Sequence, residues 1–217
     1  MAGLLVIGIT GGVGAGKSSI LTYLKNRYDA KVLEADSIGR VMMMPGGRTY
    51  GRIVAEYGEE ILNEDKTINS KKVAEIVFNN KKGLKSINEI VHPEVVSFLS
   101  ERIAAEKLEA VVSNEKTRIA CIEAALLFEG GADHLCDEIW YIYASEETRI
   151  ERLKMSRGYS EEKSISIMRN QMSEEEFREK CDYCIDNDKD LTDVYRQIDE
   201  RMSFIISGAP EGRDEIC

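Results

Sequence analysis

Residues 11–18 read Gly11-Gly12-Val13-Gly14-Ala15-Gly16-Lys17-Ser18 and fit the pattern G-x-x-x-x-G-K-[ST]. The chemistry this pattern serves is phosphate binding. Glycines let successive backbone N–H groups converge on phosphate oxygens, and a helix that follows directs its positive end to the same point. Lys17 offers a mobile charge to the outer phosphates, and the Ser18 hydroxyl can ligate Mg²⁺. Gly12, Val13, Gly14, Ala15, Gly16, Lys17, Ser18 and Ser19 are therefore the expected binding positions for ATP, with Ser18 the expected metal ligand.

A nucleotide site alone leaves GTPases, motor ATPases and small-molecule kinases open. Neither a DxxG nor an N/TKxD guanine motif is found; Asn187-Asp188-Lys189-Asp190 is only faintly similar. A kinase needs a group to orient and deprotonate an acceptor hydroxyl, and arginines that neutralise charge as a lid shuts. Asp36 follows the expected second strand, on the same rim of a parallel sheet as the phosphate loop. It is the candidate base, and its other reading is an N-cap for a helix from Ser37. Arg149, Arg152, Arg157 and Arg169 form the candidate lid, Arg149 and Arg152 sharing a helix face. The bland alternative is a solvated surface paired with Glu146, Glu147, Glu151, Glu161 and Glu162.

Elements must position these groups. Apolar runs at residues 4–9, 31–35, 119–125, 138–144 and 183–185 read as strands. Between them the spacing is helical, including Lys71–Phe78 with Val73, Ile76 and Val77 on one face. Pro93 is expected in the first turn of a long helix reaching about Leu108, flanked by His92. Ser145, Ser160 and Asp190 open three further helices. The expectation is an α/β fold of the P-loop NTPase type, with about five parallel strands covered by helices. The 217 residues are enough for one such domain over 1–206. Its core would comprise about 1–37, 111–147 and 182–206. A helical acceptor-binding region would span about 38–110 and a lid about 148–181, with 207–217 a flexible tail.

The net charge of −10 argues against nucleic acid or an acidic membrane as a partner. No apolar run approaches the roughly 20 residues of a membrane span, and no leader is visible. Five cysteines, an odd number, suit free thiols in a reducing cytoplasm. Cys181 and Cys184 form a lone CxxC, read as small apolar residues at a strand entrance. Asn187, just after the last strand, is placed near adenine on topology.

Taken together, IGITGGVGAGKSS, EADSIGR, INEIVHP, ALLFEGG, ERLKMSRGYSEE and DYCIDN resemble the blocks of the dephospho-CoA kinase family, over the chain to about residue 205. The resemblance implies transfer of the ATP γ-phosphate to the ribose 3′-hydroxyl of dephospho-CoA, with Mg²⁺. It puts Asp36 at the catalytic aspartate and Arg152 and Arg157 at lid arginines. The region from Arg40 to Leu108, with His92, would receive the acceptor. Three positions depart from the pattern: Ala125 stands for a proline, Glu123 for an aspartate, and Ile167 for an arginine four residues before Gln171. Another nucleoside-monophosphate or metabolite kinase, or a nucleotide-binding switch without transfer activity, are the other readings. A monomer or weak homo-oligomer is expected.

Overall fold

A computed structural model describes residues 3–73, 81–113 and 117–207. Five strands, β1 (Leu4–Thr10), β2 (Lys31–Glu34), β3 (Arg118–Glu123), β4 (Glu138–Tyr143) and β5 (Tyr183–Asp186), form one sheet in the order β2-β3-β1-β4-β5. Every pairing is parallel. The register sets Ile7 beside both Cys121 and Glu138, and Glu34 beside Glu123.

Alternate residues of these strands feed two separate cores. Val6, Ile122 and Tyr141 face one side, with Leu33 and Leu99. Ile7, Ile9, Cys121, Trp140 and Ile142 face the other, with Ile20, Leu24, Val194, Ile198 and Met202. A strand buried on both faces reads as a continuous apolar run, which is why these segments are visible in the sequence.

The helices are α1 (Lys17–Tyr28), α2 (Ala35–Met42), α3 (Tyr50–Tyr57), α4 (Lys81–Ser113), α5 (Glu146–Arg157), α6 (Glu161–Met168), α7 (Glu174–Lys180) and α8 (Leu191–Ser207). The expected caps form: the Ser145 and Ser160 hydroxyls accept from the Thr148 and Lys163 N–H groups. Asp190 Oδ1 accepts from the Thr192 and Asp193 N–H groups at the start of α8. α7 opens with a full capping box between Ser173 and Glu176.

Two expectations are corrected. α4 does not start at Pro93; it runs through it from Lys81. The proline removes one helical hydrogen bond, but Ile90, Val91, Val95, Leu99 and Ile103 are buried on one side of it. Burial of that stripe outweighs a local break. The region after residue 38 is also not wholly helical, because Leu62 and Ile68 form an antiparallel bridge around a turn. Of the helix expected over Lys71–Phe78, residues 74–78 lie outside the described set, as does the 208–217 tail.

Cys121, Cys136 and Cys181 are free thiols, whereas Cys184 is disulfide-bonded, against the expectation for that residue. Cys181 and Cys184 are thus not bridged to each other. No described helix is long and apolar enough to cross a membrane.

Candidate active site

The site lies at the C-terminal ends of β1, β2 and β3, where a parallel sheet leaves a crevice. Beyond Thr10 the chain turns through Gly11 at φ 143°, Gly14 at φ 81° and Gly16 at φ 90°. These are conformations that glycine adopts without strain. The Ala15 N–H donates to the Gly12 carbonyl at 3.1 Å and closes the loop. α1 then begins at Lys17, its N-terminus directed into the loop. Ser18 is exposed and lines the cleft. The Ser19 hydroxyl instead donates to the Gly16 carbonyl at 2.7 Å.

Lys17 Nζ donates to the Gly11 carbonyl at 2.9 Å and lies 3.6 Å from Glu123 Oε1. Burial pulls the lysine below its ordinary range, against the attraction of Glu123 and Asp36. Burial pushes Glu123 up, with Lys17 opposing and Asp36 and Glu34 adding to the rise. The pair is thus weakly solvated, and each partner is held charged chiefly by the other. Among the described residues no group of three His, Cys, Asp or Glu side chains could hold a metal ion. Ser18, with Glu123 on the same cleft wall, fits Mg²⁺ only as a partial ligand set, to be completed by water and phosphate oxygens.

Asp36 sits in the first turn of α2, where a carboxylate is favoured by the helix dipole. It is not the N-cap: Glu34 holds that position, without a side-chain capping bond. The carboxylate is exposed to a cleft of about 710 Å³ lined also by Gly14, Lys17, Ser18, Glu123 and Arg152. It also borders a second cavity of about 480 Å³, walled by Val91, His92, Val95, Leu126 and Ala132. Asp36, Arg40 and Arg157 line both spaces. A larger hollow, about 1050 Å³, lies at the opposite rim beside Lys31 and Arg118, the first residues of β2 and β3. Size does not mark the site; the phosphate loop does.

His92 lines the second cavity from within α4, so it is not the helix flank that the proline suggested. Arg40 donates to the Asp36 carbonyl at 3.3 Å and to the Ser37 hydroxyl at 3.1 Å. Arg152 donates to the Ala15 carbonyl at 3.2 Å and the Asn187 carbonyl at 2.8 Å. Asn187 is buried, and its Nδ2 donates to the same Ala15 carbonyl at 2.6 Å. Arg157 is exposed, with its guanidinium 6.0 Å from the Tyr159 ring. Arg169 ends α6 and does not line the cleft, whereas Ile167 and Ala125 do.

One contact escaped the sequence reading. Gln171 Oε1 accepts the Val13 N–H at 2.9 Å, and Arg149 Nε donates to the Val13 carbonyl at 2.9 Å. Both residues were in view along the chain, but their meeting over the loop is tertiary and has no local signature.

A family model described as dephospho-CoA kinase matches residues 5–193. The chain is 34% identical over 195 residues to the dephospho-CoA kinase of Carboxydothermus hydrogenoformans, covering 90% of this chain and 91% of that one. It is 32% identical to that of Saccharomyces cerevisiae, covering 93% and 83%. Among solved structures, a Thermus thermophilus protein superposes with a TM-score of 0.73 at 26% identity, over 93% of this chain and 97% of that one. A dephospho-CoA kinase from Campylobacter jejuni superposes with a TM-score of 0.66 at 23% identity, over 94% and 98%, a likeness of fold. With its phosphate loop, its parallel sheet and these relatives over nearly its whole length, the chain belongs to the dephospho-CoA kinase family.

Proposed function

We propose that the chain transfers the γ-phosphoryl group of ATP to the ribose 3′-hydroxyl of dephospho-CoA, giving coenzyme A and ADP. The observation that carries this reading is the shared wall. Asp36, Arg40 and Arg157 border both the cleft of the phosphate loop and the adjoining half-apolar cavity. A nucleotide in one and an acceptor in the other would meet at a carboxylate.

The loop amides and Lys17 hold the triphosphate. The ribose 3′-oxygen attacks the γ-phosphorus in line, the bond to the β,γ-bridging oxygen breaks, and ADP leaves with that oxygen. The proton of the hydroxyl passes to Asp36, which lines both spaces. Arg152 and Arg157 offset charge on the transferring group as the 148–181 segment closes as a lid. His92 and Arg40 receive the acceptor in the helical region of residues 38–110, and Asn187 backs the loop on the adenine side. Ser18 would contribute a ligand to Mg²⁺, which would supply further charge neutralisation when bound. The protein works in the cytoplasm, with no nucleic acid or membrane partner, as a monomer or weak homo-oligomer.

The test is ADP release with ATP and a panel of acceptors. Turnover with dephospho-CoA, and product bearing phosphate on the ribose 3′-oxygen, supports the reading. Phosphorylation of adenosine monophosphate or shikimate without dephospho-CoA would assign another acceptor. Tight ATP binding with slow hydrolysis, whatever is added, would make the chain a switch.

A further inference from the structure

A half-buried guanidinium is costly unless acceptors or an anion meet it. Arg149 is such a group, and burial lowers its pKa. Its hydrogen bonds go to neutral oxygens: the Val13 carbonyl, and Gln171 Oε1 at 3.3 Å from Nη2. No carboxylate lies within 4.0 Å of it among the described residues; Glu146 and Glu174 attract it only from farther off. The same Gln171 oxygen takes the Val13 N–H. Both polar groups of one loop residue are therefore held by side chains from opposite ends of the 149–171 stretch.

The fit is close on either side of Val13. A Cβ at Gly12 would collide with the Arg149 guanidinium, and one at Gly14 would lie 2.8 Å from the Arg149 carbonyl oxygen. Glycine at both positions is what lets Arg149 lie against the loop. Gln171 and Val13 also line the cleft, so the shared oxygen sits at the edge of the space for phosphates.

We propose that Arg149 and Gln171 form a clasp on Val13, with Arg149 a positioning residue that sets the phosphate loop from behind and brings its charge there without a directly bonded counter-ion. The neutral amide of Gln171 suits this task. It accepts from two donors at once without cancelling the guanidinium charge, as a carboxylate would. The inference rests on the reading that the cleft takes ATP.

The experiment is calorimetric titration of ATP with Mg²⁺ and no acceptor, alongside thermal melting of each protein without nucleotide. Failure of the wild-type protein to bind ATP would overturn both readings; binding by the wild type isolates the clasp. Arg149→Met and Gln171→Met should each weaken ATP binding by about 10- to 100-fold. The double variant should be no more than about threefold weaker than the worse single one, because both act through one residue. Arg149→Lys should not recover the loss, since a lysine lacks the two-pronged geometry. Should the methionine variants fold poorly, Gln171→Glu decides. It gives Arg149 a carboxylate and turns that charge toward the phosphates, so melting should hold or rise while ATP binding weakens about tenfold or more. Single losses under about twofold, losses that multiply in the double variant, full recovery by Arg149→Lys, or Gln171→Glu binding ATP like wild type would each overturn the clasp.

Discussion

Arginines at the cleft and phosphate loop and the arginines paired with carboxylates elsewhere live in different surroundings. Arg40, Arg152 and Arg157, which line the cleft, and Arg149, packed against the phosphate loop, have no carboxylate within 4.0 Å among the described residues. Away from the cleft, Arg48, Arg118, Arg178, Arg196 and Arg201 each hold at least one, the shortest at distances between 2.6 and 3.2 Å, while the exposed Arg27, Arg102 and Arg169 hold none among the described residues. In a chain with net charge −10, carboxylates are abundant. Their absence beside the cleft arginines is local, and it leaves positive charge where a triphosphate would sit. The paired arginines spend their charge on the fold; those of the cleft have no direct counter-ion for a ligand to displace.

Substitutions can separate the two groups. The largest effect is expected at Lys17, the most enclosed cation of the cleft: Lys17→Ala should reduce turnover by roughly 10³-fold or more, read in the ADP-release assay. The Arg157 side chain makes no hydrogen bond within the described residues, so Arg157→Met should lower kcat by about 10- to 100-fold and leave the melting temperature unchanged. Arg152→Met should lower kcat similarly and also cost about 1–3 kcal/mol in denaturant unfolding, because it takes its donor from the Asn187 carbonyl and one of two donors from the Ala15 carbonyl.

Arg201→Met is the reverse case. It strands the buried Glu138, which accepts from Arg201 Nε at 2.7 Å and from Trp140 Nε1 at 2.6 Å. About 3 kcal/mol of stability should go, with kcat and KM of the surviving protein intact. The smallest effect belongs to Arg48→Met, on the exposed Arg48–Glu101 pair. The hydrogen bond from Arg48 holds Glu101 below its usual carboxylate range. The contribution is therefore present above that range and lost as pH falls through the depressed value. Melting of variant and wild type should differ slightly at neutral pH and coincide in acid. A kinetic defect from Arg201→Met, or a purely structural one from Arg157→Met, would dissolve the distinction.

What could be read in the chain beforehand was what is encoded locally. The phosphate loop, the buried strands and the Ser145, Ser160 and Asp190 caps each depend on a few consecutive residues, and all appear where expected. The reading failed where distant packing overrides a local rule. Pro93 signals a helix start, yet the apolar stripe from Ile90 to Ile103 carries α4 across it. Asp36 resembles a cap, yet α2 starts one residue before it. The Ser173 capping box is encoded locally as S-x-x-E. The Arg149–Gln171 contact could not be seen at all, because 22 residues separate its partners and only the fold brings them together.

Asp36 is where the two spaces meet, and its removal probes the whole account. Single-turnover phosphorylation of dephospho-CoA by Asp36→Asn, with ATP affinity measured on the same protein, is the decisive measurement. The account predicts a rate lower by roughly 10²–10⁴-fold with ATP binding within about threefold of wild type. A near-normal rate with the asparagine in place would contradict it.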